Sequence, residues 1–182
     1  MIMTAGLRKL ALTAHVTSSV GWLGAVAGFL ALAVAGLTSR NVQIIRAAYI
    51  AMELTGWYAI VPLCLASLMT GIVQSLGTPW GVFRHYWVVA KLLIAILATV
   101  VLLIHMQPIS EVARIAAQQT LAPDALRGMR IQLLADAGAA LLVLLVATTL
   151  SFYKPRGLTR YGWRKQREDR ATSTAPKETT PV

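Results

Sequence analysis

Residues 87–105 read WVVAKLLIAILATVVLLIH. The run is apolar and close to the roughly 20 residues a helix needs to cross a bilayer. It carries Lys91 near its start and His105 at its end. At about 1.5 Å of rise per residue, these two lie roughly 21 Å apart along a helix axis. They share a face, because Lys91, Ala95, Ala98, Leu102 and His105 step by four, three, four and three. Ionisable groups inside a membrane span are costly and mark functional positions. What the other helices bring to these two depths therefore frames the rest of the chain.

The chain has 182 residues, 57% of them hydrophobic, and a mean hydropathy of +0.64. This is too apolar for a soluble domain of its size and indicates an integral membrane protein with one compact bundle. The formal charge is +10, and much of it is concentrated at the end. Seven Lys/Arg and two acids fall between Lys154 and Arg170. A basic segment flanking a hydrophobic one suits anionic lipid headgroups. No nucleic-acid motif accompanies it, so nucleic acid is excluded as a partner. Cys64 is the single cysteine and lies in an apolar run, which removes disulfide and CxxC chemistry and leaves a small packing residue. Arg8 and Lys9 before an apolar run resemble a signal peptide. Leu10–Leu37, however, is 28 residues, too long for a signal-peptide core, and reads as a retained first helix.

Four spans are expected, over about 10–37, 47–76, 87–106 and 131–153. Pro62 is placed to kink the second. The fold class is all-α: an integral membrane four-helix bundle over 1–153, with a basic, largely disordered cytoplasmic tail over 154–182. An N-in/C-in orientation puts eleven Lys/Arg inside and five outside, namely Arg40, Arg46, Arg114, Arg127 and Arg130. The location this implies is a plasma membrane, crossed several times. The long outer loop, Gln107–Arg130, contains Ile109, Val112, Ala113 and Ala116 at helical spacing, which suits a helix lying on the membrane surface. Pro123-Asp124 reads as a helix start. Trp22, Trp57, Trp80 and Trp87 read as interfacial or packing aromatics.

Polar residues share faces with small ones, as buried polar positions do. The first helix has Thr13, Thr17, Gly21, Gly24 and Gly28, including a Gly24-x-x-x-Gly28 close-packing signature, with His15, Ser18, Ser19 and Trp22 beside them. The second has Glu53, Gly56, Ser67, Gly71 and Gln74. The fourth has Gln132 and Asp136. Alternating helix direction then sorts the ionisable groups into two clusters. His15 and Lys91, with Gln74 near them, share the inner depth. Glu53, His105 and Asp136 share the outer one. A haem held by both His15 and His105 is excluded, since roughly 20 Å of helix rise separates them. His15 alone, or with another partner, remains an axial ligand. Two carboxylates and an imidazole are plausible ligands for a divalent metal, or a proton site. Packing roles compete with each assignment: a satisfied histidine at His15, a snorkelling Lys91, and a structural polar knot at Glu53, His105 and Asp136.

The pattern His15…Gly21-Trp22-Leu23-Gly24, Thr70-Gly71, Trp87…Lys91 and His105 resembles the copper-resistance D-type membrane superfamily, whose relatives include the HemJ-type membrane protoporphyrinogen oxidases. In those oxidases a first-helix histidine and a lysine after a tryptophan serve haem binding and activity. The resemblance places these roles at His15 and Lys91. The whole chain also resembles a family of small bacterial integral membrane proteins without an assigned function, and Tyr153–Gly162 is similar to that family's ending. The methionine- and histidine-rich segments of copper handling do not occur here. The leading expectation is therefore a pocket near the cytoplasmic side that binds haem b or a related tetrapyrrole. In it His15 is the axial ligand, and Lys91 pairs with a propionate or donates a proton. No catalytic residue is assigned. The alternatives are metal-ion or proton transport through Glu53, His105 and Asp136, and a non-catalytic structural or assembly subunit that binds a membrane protein partner or forms a homo-oligomer.

Overall fold

The computed structural model describes residues 3–77, 85–118, 126–153 and 157–174. Trp80, Arg84, Pro123-Asp124, Lys154–Arg156 and everything beyond Thr174 lie outside them. The chain is all-helical. α1 spans Ala5–Thr38. α2 spans Val42–Thr55 and runs through a π-helical segment, Gly56–Ile60, into α3, Val61–Leu76. α4 spans Tyr86–Gln118, α5 Arg127–Tyr153 and α6 Arg160–Thr174.

Local chemistry sets the boundaries. The Thr4 hydroxyl accepts from the Leu7 amide and caps α1. Asn41 Oδ1 accepts from the Gln43 amide at 2.9 Å, so α2 starts at Val42, five residues before the expected span. Pro62 has no N–H and deprives the turn before it of a donor. The backbone answers with a five-residue bond, Val61 N–H to Gly56 O, and the π segment absorbs the proline without breaking the span.

α4 corrects the expected surface helix. It does not stop at Met106 but continues through Pro108 to Gln118. Ile109, Val112, Ala113 and Ala116 are buried in the core, not laid on a membrane surface. Proline costs about 3 kcal/mol inside a helix. The apolar face that follows packs against α2 and outweighs it. The Arg46 guanidinium donates to Ala117 O at 2.8 Å, placing a cation on the last turn of α4.

α1 packs on α2, α3 and α5, and α4 packs on the same three, so α1 and α4 occupy opposite corners of the bundle. Four helical stretches are long and apolar enough to cross a membrane: Ala5–Thr38, Val42–Leu76, Tyr86–Gln118 and Arg127–Ser151. Only 11% of the most apolar window of α4 is buried. Leu10, Val20, Leu93, Leu97, Ile104 and Leu142 all point outward. The apolar surface is thus on the outside, the arrangement expected of a chain solvated by lipid.

The densest packing is at the far end, where α1 meets α2. Ile45, Tyr49 and Met52 interlock there with Met106, Ile109, Val112 and Ala116, and with Phe29, Ala33, Leu133 and Ala137. Arg130, assigned from sequence to an outer loop, is fully buried at this end. Its Nε donates to the Tyr49 hydroxyl at 2.9 Å, and a terminal guanidinium nitrogen donates to Gly36 O. The guanidinium also stands 5.4 Å from the Tyr49 ring centroid. Gly36 is required by this arrangement, because a Cβ there would lie 3.0 Å from the ring. By contrast, nothing lies within 4 Å of a Cβ built on Gly24 or Gly28. The expected Gly24-x-x-x-Gly28 contact is not made within this chain. The close approaches on α1 fall instead at Gly21, against Leu63, and at Gly36.

At the opposite, tail end the chain returns on itself. Tyr86 N–H donates to Gly157 O at 3.3 Å, and His85 pairs antiparallel with Leu158. α6 follows, so part of the tail expected to be largely disordered is a capped helix, with Gly162 N–H donating to Thr159 Oγ1 at 3.0 Å.

Removing one partner from a buried guanidinium leaves its hydrogen bonds unmet. Tyr49→Phe is expected to destabilise the protein by about 1–3 kcal/mol, and Arg130→Ala by about 3–5 kcal/mol. Denaturant unfolding in mild detergent measures both, and losses under about 0.5 kcal/mol would contradict this role of Arg130.

Candidate functional site

The half of the bundle nearer the tail end has a polar interior. His15 comes from α1, one face of which also carries Ser18 and Ser19. It meets α3 where Ser67, Thr70 and Gly71 lie within one helical turn. His15 Nδ1 is 3.1 Å from Ser67 O and 3.2 Å from Thr70 Oγ1. A carbonyl only accepts, and the Thr70 hydroxyl already donates to Ala66 O at 2.6 Å. Nδ1 therefore carries the proton, and the neutral ring keeps its lone pair on Nε2. Gly71 makes room for the ring, since a Cβ there would lie 3.1 Å from His15 Cε1.

The polar contacts continue deeper. Ser19 Oγ and Ser67 Oγ are 2.7 Å apart. Cys64, fully buried, donates its S–H to Thr99 Oγ1 at 3.1 Å, because the Thr99 hydroxyl is spent on Ala95 O at 2.7 Å. The lone cysteine is thus a packing residue with one weak hydrogen bond, as the sequence suggests.

Lys91 turns toward α5. Its ammonium donates to Ser151 Oγ at 2.6 Å and lies 5.8 Å from the Trp87 ring centroid. Ala98 and Leu102, on the same stripe as Lys91, pack against the core. Ser151 was missed from sequence. The signal for it was there: a hydroxyl in the last turn of the fourth span, at the depth of Lys91.

The far-end group does not come together as a triad. His105 Nε2 is 3.2 Å from Asp136 Oδ2, with both side chains partly exposed, and His105 Nδ1 is 2.8 Å from Val101 O. Glu53 sits elsewhere. It lines an open groove of about 540 Å³ between α2 and α4, with Ile50, Gln107, Ser110, Glu111 and Arg114. The reason is rotational: His105 and Gln107 leave α4 roughly 200° apart, so a partner of one cannot also reach the other. Arg114 in that groove is paired with Glu111, Nε to Oε2 at 3.0 Å. Among the described residues no group of three or more His, Cys, Asp or Glu side chains is arranged to hold a metal ion.

Comparison with protein-family models, with curated proteins and with solved structures finds no match for this chain.

A double-mutant cycle separates the pair from the triad. His105→Ala and Asp136→Ala should couple by about 0.2–1 kcal/mol, the range of a partly exposed ion pair. Glu53→Gln should be additive with either. Coupling of Glu53 to His105, measured by unfolding in detergent, would show that the three side chains act together after all.

Proposed function

We propose that this chain is a four-helix protein of the bacterial inner membrane that holds haem b, or a related tetrapyrrole, on His15 in the cytoplasmic half of the bundle. The observation that carries the reading is the orientation of His15. Its Nδ1–H is committed to Ser67 O and Thr70 Oγ1, which leaves Nε2 as the donor. Coordinating histidines are commonly oriented this way, because a hydrogen bond from the other ring nitrogen fixes the tautomer and strengthens the ligand. Lys91 supplies a cation at the same depth, suited to a propionate, and Ser151 holds its ammonium. A bound haem supplies iron chemistry: electron transfer or the activation of small ligands. The resemblance to the copper-resistance D and HemJ-type superfamily supports the same pair of residues and rests on the motifs quoted for it.

The orientation is N-in/C-in. Of the five arginines at the far end, Arg46 binds the Ala117 carbonyl, Arg114 binds Glu111 and Arg130 is buried. These three have structural duties, which weakens them as a topological signal against the basic tail. A second reading, cation or proton handling at the far end, draws on one observation. Asp136 Oδ2 is buried without a hydrogen bond, beside His105 Nε2. Stabilisation by a divalent metal that is lost in Asp136→Asn is the result it requires.

The test of the first reading is the absorption spectrum of the purified protein, oxidised and dithionite-reduced, after expression with adequate haem supply. A Soret band with reduced α and β bands is expected. His15→Ala should abolish it while the protein remains folded, and Gly71→Ala should perturb it by crowding the ring. Lys91→Ala should preserve the bands but retain less haem. A flat spectrum from the folded wild-type protein sinks this reading. For topology, a green fluorescent protein fused to the C-terminus should be bright and an alkaline phosphatase there inactive.

A further inference from the structure

α6 starts beside the polar end of the third apolar span. The antiparallel pairing of His85 with Leu158, and the Tyr86 N–H bond to Gly157 O, fix its start beside the first turn of α4. That turn, Tyr86-Trp87, is the border between polar chain and the apolar third span. The helix itself is no span: its sequence, RYGWRKQREDRATST, has no leucine, isoleucine or valine. Its register separates two sides. Gly162 is buried toward the rest of the chain, whereas Arg160, Arg164 and Arg167, at positions i, i+4 and i+7, are exposed on another face. None of the three forms an ion pair with a described residue. The Arg164 guanidinium lies 5.8 Å from the Tyr161 ring centroid. Tyr161 and Trp163 leave 50% and 56% of their surface open.

Three arginines in a row with two exposed aromatics, on a helix lacking leucine, isoleucine and valine, have no large aliphatic side chain to insert into hydrocarbon. They have what the headgroup layer takes: guanidinium forks for phosphate oxygens, and amphipathic rings for the boundary. We propose that α6 is an anionic-lipid clamp, in which Arg160, Arg164 and Arg167 bind the phosphates of acidic phospholipids while Tyr161 and Trp163 lie at headgroup level. Because the His85–Leu158 pairing joins α6 to α4 less than two turns from Lys91, lipid on this face also steadies the end of the bundle where Lys91 and Ser151 meet. The inference rests on the membrane reading and is independent of the tetrapyrrole.

Hydrogen exchange of the α6 amides tests it, in the full chain reconstituted into nanodiscs of phosphatidylcholine alone or with about 30% phosphatidylglycerol. Exchange in α6 should slow on the order of tenfold in the anionic discs. The difference should vanish in about 0.5 M salt, which shortens the screening length to a few ångströms. It should also vanish in the R160Q/R164Q/R167Q variant, whose substitutions are at exposed positions and leave the bundle's own exchange unchanged. Inorganic phosphate added to the neutral discs should not reproduce the protection. Equal exchange in the two discs overturns the proposal, as does a difference that persists in the triple variant, or protection by an oligonucleotide but not by the anionic lipid. A chain that does not enter discs of either composition overturns the membrane reading itself, and is distinguished by the absence of protein in the disc fraction.

Discussion

Everything at the far end of the bundle depends on the burial of one guanidinium. Arg130 reaches from the first turn of α5 to the end of α1 and the middle of α2, donating to the Tyr49 hydroxyl and the Gly36 carbonyl. A cation removed from solvent is tolerated only when its donors are met. The carbonyl at Gly36 is one of the last in α1, where the helix dipole is negative, so the charge and the dipole agree. Tyr49 serves twice, as hydrogen-bond acceptor and as a ring beside the cation. A Cβ at Gly36 would stand 3.0 Å from that ring and press it off its place beside the guanidinium.

From this anchor the two halves of the bundle divide. Around Arg130 the packing is dense: Ile45, Met52, Val112 and Ala116 have no exposed surface. Toward the tail end the interior becomes polar. Ser19 bonds with Ser67, His15 with Thr70, Cys64 with Thr99 and Lys91 with Ser151, each pair from two different helices. Such bonds join helices with modest energies, of order 0.6 kcal/mol each. The bundle is thus packed with apolar side chains at one end and joined by polar contacts at the other. The π segment lies between the halves. It lets α2 pack tightly at one end and α3 present Ser67 and Thr70 to His15 at the other, with Pro62 absorbed within the same continuous helix.

Depth and face were not equally legible. Alternating helix direction put Asp136 with His105, and these two side chains meet in the structure; the lysine set at the depth of His15 turns to Ser151 on α5. Glu53 has the right depth but the wrong angle, since it opens on the groove with Gln107 and Ser110 instead of reaching His105. Ser151 escaped notice because its partner lies sixty residues away and no local pattern joins them. Arg130 escaped because a lone arginine outside an apolar run reads as a loop charge, and only packing turns it inward.

By itself the sequence determined the number of apolar spans, the excess of positive charge in the tail, and which polar residues share a helix face. These follow from composition and from the 3.6-residue period, which are local properties of the chain. The tertiary structure decided the rest. It carried α4 through Pro108, because the apolar face beyond it had α2 to pack against. It left Gly24 and Gly28 facing open space and drew α1 against its neighbours at Gly21 and Gly36. It also set the ring of His15 against Ser67 and Thr70, and so settled which nitrogen keeps its lone pair. The rotation of one helix about its own axis relative to the next is fixed only by the fit of side chains across the interface, and that fit is a property of the pair, not of either sequence segment.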